Sequence, residues 1–185
     1  MSYTLITAKT EWTLDLSEVK AHLDIDSSNT DQDAYIQELI YAVQDEVEDR
    51  CDLSINAETW ELRLDTFPLE IEIYHFPISA ITSVKYIDGD GAEQTVSSDN
   101  YKTDLISKPA RIVPYDSYAW PTTKDTWPHA VKVRYVTGFT SPSVCPADIR
   151  QAMYLIIGDW FTNRQDKGRR FDRVSERLLN KYRYR

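Results

Sequence analysis

A chain of 185 residues with 42% hydrophobic residues, twelve Tyr and five Trp is large and apolar enough to bury a core in one or two domains, and its composition excludes a disordered chain. A net charge of −9 argues against a dedicated duplex-DNA binder, and five Gly leave little room for a glycine-rich phosphate loop. Two isolated cysteines, Cys51 and Cys145, form neither a disulfide framework nor a CxxC zinc pattern, so a reducing compartment is expected.

Met1–Thr10 contains one Lys and no apolar stretch of the signal-peptide kind, and the longest apolar run, Ala152–Phe161, is broken by Gly158 and Asp159. Ser17 is an N-cap candidate before a short helix over Glu18–Leu23. Asn29-Thr30-Asp31 then opens a longer helix, roughly Asp31–Cys51, with Ile36, Leu39, Ile40, Val43 and Val47 on one face. The other face is acidic: Asp33, Glu38, Asp45, Glu46, Glu48 and Asp49, against Arg50 alone. Acids in the last turns oppose the helix dipole by roughly 0.3–1 kcal/mol each. They suit either a solvated face or a basic partner.

From Thr59 the apolar period becomes two. Trp60, Leu62 and Leu64 alternate with polar residues, as do Leu69, Ile71 and Ile73. Ile81–Ile87, the turn Asp88-Gly89-Asp90-Gly91 and Glu93–Val96 read as a hairpin. Asn100–Asp104, Arg111–Val113 and Val131–Val136 are further strand candidates, and an aromatic loop spans Tyr115–Trp127. Helical spacing returns after Gly138. Pro146 stands at the expected first helical position, and Ile149, Ala152, Met153, Ile156 and Trp160 repeat the earlier pattern. Leu155, Ile157 and Phe161 widen the apolar surface, so this helix is expected to be buried on more than one side.

The tail reverses the charge. Residues 164–185 hold nine Lys and Arg against three acids, a net +6, which leaves −15 on residues 1–163 of a chain carrying −9. Phe171, Val174, Leu178 and Leu179 fall at helical spacing within it, so a basic amphipathic docking element is expected. Its candidate contact residues are Arg169, Arg170, Phe171, Arg173, Val174, Arg177, Leu178, Lys181, Arg183 and Arg185. Glu38, Asp45, Glu46, Glu48 and Asp49 are the candidate subunit-interface or channel acids.

Catalytic and metal signatures are absent from the sequence. His22, His75 and His129 stand alone, and no GxSxG, GxxxxGK[ST] or HExxH pattern occurs. Asp88-Gly-Asp-Gly begins like a calcium loop but lacks the Glu at position twelve, and the alternating flanks favour a hairpin turn. Acid pairs such as Asp24/Asp26 and Glu70/Glu72 need no role beyond a solvated polar face. Tyr115, Tyr118, Trp120 and Trp127 would cap the β unit or contact a neighbour. No enzymatic activity, cofactor or metal is expected.

The order of segments resembles the head–tail connector (adaptor) proteins of long-tailed bacteriophages and gene transfer agents. LSEVKAHLDIDSSNTDQDAYIQELIYAVQDEVEDRCDLSI is similar to the family's opening: a short helix holding a Lys and a Leu, an Asp-rich loop and a long amphipathic helix. ETWELRLDTFP resembles its first long strand, and FPISAITSVKYIDGDGAEQTV followed by YKTDL its hairpin. RIVPYDSYAWP and AVKVRYVTGF resemble its later strands, and CPADIRQAMYLIIGDWFTNR its closing helix, ending in an aromatic and Asn-Arg.

The expected fold is α+β: a helical bundle formed from the N- and C-terminal segments (1–56 and 138–185, a discontinuous helical connector domain) with an inserted antiparallel β unit (57–137). The resemblance implies a structural virion protein of the neck, assembled in the host bacterial cytoplasm. It implies a ring, commonly a dodecamer, under the portal protein, built from a subunit that is a monomer when free. Such a ring extends the DNA channel, lets DNA pass without specific binding, and offers a surface to the tail or a second connector protein, with no membrane partner. The alternatives are another neck or tail-completion protein, and a nucleic-acid-binding protein using the basic C-terminal helix.

Overall fold

The computed structural model describes residues 1–139, 141–164 and 173–183. The chain divides into two compact units, one of residues 1–9 and 57–138, the other of residues 10–56 and 139–185.

The first unit is all β. Strands β1 (Ser2–Thr7), β2 (Glu58–Leu64), β8 (Val131–Thr137), β4 (Ile78–Ile87) and β5 (Glu93–Val96) form an antiparallel sheet in that spatial order. Strands β3 (Ile71–Ile73), β7 (Ala110–Pro114) and β6 (Tyr101–Asp104) form a second sheet. Period-two alternation sends Leu62, Val84, Val131, Val133 and Tyr135 of the large sheet into one core with Ile71, Ile73 and Ile112 of the small one. Trp120, from the aromatic loop, stacks on Phe67 with centroids 4.8 Å apart and donates to the Leu69 carbonyl at 3.4 Å. This loop therefore caps the core. Leu69 itself is 94% exposed and precedes β3, so the alternation expected from Leu69 begins only at Ile71.

The opposite face of the large sheet is a lattice of ion pairs. Glu61 lies opposite Arg134 on β8 and accepts from Arg134 at 2.9 Å and from Arg63 at 2.8 Å. Burial opposes ionisation of Glu61, but the two guanidinium partners outweigh it and hold the carboxyl below the usual glutamate range. Lys85 and Lys132 also stand directly opposite each other, a destabilising like-charge pairing on its own. Glu93 joins them, accepting from Lys85 at 2.9 Å and from Lys132 at 2.8 Å.

The second unit is helical: α1 (Leu16–His22), α2 (Asp33–Cys51), α3 (Ala147–Thr162) and α4 (Arg173–Leu179). Its core gathers Val19, Ile36, Ile40, Val43 and Val47 with Ile149, Ala152, Met153, Ile156, Ile157 and Leu179. Each fully buried aliphatic side chain contributes about 1.5–3 kcal/mol. Two polar devices fix the segments that carry no helix. Lys20, 3% exposed, sends its ammonium to the Ser27 carbonyl (3.1 Å), the Asn29 carbonyl (2.7 Å) and Asp33 (2.8 Å), which pins the Asp-rich loop between α1 and α2. In the core, Gln44 accepts from the Thr13 amide (3.0 Å) and donates to Asn56 (2.8 Å), while the Thr13 hydroxyl also donates to Asn56 (2.8 Å). The three side chains are nearly sealed from solvent, so each polar group needs a partner of this kind.

Four expectations are corrected. Residues 1–9 do not sit with the helical segments, because Ser2–Thr7 pairs antiparallel with β2 as an edge strand. Asp15, rather than Ser17, caps α1: its carboxylate accepts from the Ser17 amide at 2.8 Å and from the Ser17 hydroxyl at 2.6 Å, which holds that carboxyl below the usual aspartate range. The long helix starts at Asp33, two residues later than expected, since Asn29 uses its side chain on the Asp31 amide in a turn. Pro146 precedes α3 as its cap residue instead of forming its first turn. At the other end of α2, Asp52 takes the left-handed conformation (φ 53°) that glycine commonly supplies after a helix.

Candidate subunit and partner interface

Those charged contact, interface and channel candidates singled out in the sequence that the structure describes all belong to the helical unit. Residues 10–56 contain thirteen acids against Lys20 and Arg50, a net −11. Burying the apolar stripe of α2 leaves Glu38, Asp45 and Asp49 exposed on its outer side. Glu46 is half-buried and approaches Arg50 at 3.7 Å. Glu48 belongs to a different part of the structure. Its carboxylate accepts from the Ile55 amide at 2.7 Å and from Gln44 at 3.3 Å, so it stabilises the turn after α2.

α4 lies against α3 and the end of α2. Leu179 is 1% exposed, its carbonyl accepts from the Cys51 thiol at 3.9 Å, and Leu178 and Tyr182 pack on the same core. Arg50 donates to Glu176 at 3.0 Å, and Lys181 pairs with Asp148 at the start of α3. Leu178 is therefore engaged within its own subunit. Arg173, Val174 and Arg177 point outward, Val174 at 47% exposure. Lys181 is exposed beyond its pair with Asp148, and Arg183 is half-buried. Arg169, Arg170, Phe171 and Arg185 lie outside the described residues.

The Asn-Arg that closes α3 has a structural role the sequence did not reveal. Asn163 donates to Asp159 at 2.9 Å, while Arg164 lies over the rings of Tyr35 (4.7 Å) and Phe161 (5.3 Å) and donates to Gln32 at 2.6 Å. It fastens the end of α3 to the first turn of α2 through cation–π and hydrogen-bond contacts. No spacing rule in the sequence links Arg164 to Tyr35.

A cleft of about 580 Å³ opens on the same unit between residues 10–18, α2 and the start of α3. Glu11, Trp12, Asp15, Glu18, Gln37 and Arg150 line it. Trp12 is held against Tyr41 with ring centroids 4.2 Å apart. Glu18 accepts from Arg150 at 3.3 and 3.2 Å and from the Tyr154 hydroxyl at 3.0 Å. The Nε of Arg150 is buried and meets no acceptor among the described residues. Also among the described residues, no group of three or more His, Cys, Asp or Glu is placed to hold a metal ion. No described helix is long and apolar enough to cross a membrane.

Residues 13–106 match the model of a protein family described as Phage gp6-like head-tail connector protein. The chain belongs to this family. It is a structural head–tail connector with an α+β fold. Its fold is similar to a chain in the virion of a native gene transfer agent particle, with a TM-score of 0.80 at 20% identity over 99% of this chain and 95% of the other. A chain in the neck of an empty gene transfer agent particle computed with C6 symmetry gives 0.77 at 20% identity, with the same coverage. One in the neck of a native particle computed with C12 symmetry gives 0.73 at 19% identity, again over 99% and 95%. No curated protein sequence matches the chain.

Proposed function

We propose that this connector assembles as a closed ring in the virion neck, beneath the portal protein, and carries no catalytic activity. A ring built head to tail needs two different, complementary patches on each subunit. The observation that carries the reading is their presence on one unit: an acidic surface over residues 10–56 and an outward basic face on α4 at Arg173 and Arg177. Fold likeness to a chain of a neck computed with C12 symmetry supports a ring of twelve. The ring continues the DNA channel. The acidic surplus repels phosphate, so DNA passes without lodging. The ring's far side receives the tail or a second connector. Assembly takes place in the bacterial cytoplasm from a free monomer, and the helical segments form the connecting domain.

Glu38, Asp45, Glu46 and Asp49 supply the acidic surface at the subunit interface or channel, and the tail is the docking element toward the portal or a neighbouring copy. Deleting residues 168–185 is a poor test, because it strips Leu179 from the core. Reversing Arg173 and Arg177 to Glu leaves the core intact. The doubly reversed protein should stay folded and fail to join portal-bearing capsids, as seen by electron microscopy of the mixture. Wild-type efficiency of attachment would overturn the tail's role, and attachment without a ring would overturn the ring.

A further inference from the structure

We infer that the cleft lined by Glu11, Trp12, Asp15, Glu18, Gln37 and Arg150 is the receptor for the outward face of α4 from a second copy of this chain. The inference rests on the ring reading above and names the partner of the tail.

The cleft carries three carboxylates and one guanidinium, and that guanidinium is already occupied by Glu18. Two negative charges are left at its mouth, at Glu11 and Asp15, both exposed. The occupant must therefore be cationic. It must also bring something apolar to Trp12, whose ring is fixed by Tyr41. An occupant can also bring an acceptor to the buried Nε of Arg150, which meets none among the described residues. A cation carried beside an apolar side chain meets the first two needs, which points to polypeptide rather than to a small cation.

α4 presents the cationic and apolar parts of this set. Arg173 and Arg177 are four residues apart, so they share one helix face and match a pair of carboxylates. Val174 stands beside them at 47% exposure. Glu176 and Leu179 anchor the opposite face of the helix to its own subunit. The cations are therefore presented outward on a fixed element. Cleft and α4 are different patches, so each copy offers one and receives one, and the pairing propagates head to tail until it closes. The main surplus of positive charge in this sequence lies in the tail, and this leaves a second copy as the best complement to the cleft.

Full-length protein assembled on portal-bearing capsids tests this with two cysteines, Glu11→Cys and Arg177→Cys in one chain; the native Cys51 and Cys145 are buried. Mild oxidation of the assembled necks should give a ladder of covalent multimers, while either cysteine alone should give none. In parallel, Glu11→Lys with Gln37→Lys should lower ring assembly about tenfold, and adding Arg173→Glu with Arg177→Glu should restore it, as expected for a complementary charge pair. Rings that form normally from the lysine variant, with no covalent ladder, would overturn the inference and leave the ring standing. Loss of attachment confined to the α4 variants would assign α4 to the portal instead. Wild-type protein that never forms rings would overturn both readings.

Discussion

Arg50 reaches Glu176 at 3.0 Å across 126 positions of sequence, joining the end of the long acidic helix to the basic tail. Both partners are partly exposed, so the pair itself is worth about 0.5 kcal/mol, and most of the hold on α4 is apolar. A double-mutant cycle of Arg50→Ala and Glu176→Ala should return a coupling of that order, whereas Leu179→Ala should cost about 2–4 kcal/mol. Urea unfolding decides it: unchanged stability in Leu179→Ala would mean that the tail does not rest on this core.

Lys20→Met should destabilise the helical unit by about 3 kcal/mol, because it leaves Asp33 and two loop carbonyls without their cation. Amide exchange in residues 24–32 should rise well before global unfolding. An unaltered exchange pattern there would show that the loop is held by its own turns.

Gln44→Ala should cost about 2 kcal/mol, since it leaves the Thr13 amide without its acceptor and Asn56 with only the Thr13 hydroxyl inside a core with no room for exchange with solvent. Gln44→Glu should cost more and become pH-dependent, as a buried carboxylate there keeps the Thr13 amide but sets a second negative charge against Glu48 and an oxygen against Asn56. Thermal melts at several pH values separate the two.

Glu93 is held by Lys132 and Lys85 at a pKa of about 2, down from its ordinary 4.5. The folded value lies below the unfolded one, so the contribution is complete above pH 4.5 and disappears as pH falls toward 2. Glu93→Gln should lower the melting temperature at pH 7 by leaving Lys85 opposite Lys132, and should flatten the dependence between pH 4.5 and 2. Asp104, also held at about 2 by its hydrogen bonds from Ser107 and its neighbours, keeps a residual slope in the variant. Identical acid profiles for variant and wild type would show that the Glu93 pairs are screened out.

The sequence made the long helices and the hairpin legible because burial is periodic: Ile36 through Val47 and Ile149 through Ile156 mark their own inner faces. The resemblance to the connector family came from the order of segments, and residues 13–106 carry the family match. What escaped was set by non-local pairing. Ser2–Thr7 has the composition of a strand and no Pro or Gly, but nothing local says that its partner is Glu58–Leu64. Lys20, Gln44 and Arg164 read as ordinary polar residues until the fold brings Ser27, Asn56 and Tyr35 to them. Within the candidate interface, the run of acids on α2 was visible, but the separate use of Glu48 on the Ile55 amide was not. The cleft was invisible, since its lining comes from three separated stretches.

The interleaving of the two units dictates an order of synthesis. A nascent chain that has emerged as far as Gly138 owns every strand of the β unit, yet of the other unit it has only α1 and α2. Ile36, Ile40, Val43 and Val47 then wait, uncovered, for Ala147–Thr162 to leave the ribosome. Throughout that interval the neighbouring carboxylates, Glu38, Asp45 and Asp49 among them, repel other half-made copies and so hold unfinished polypeptides apart during translation.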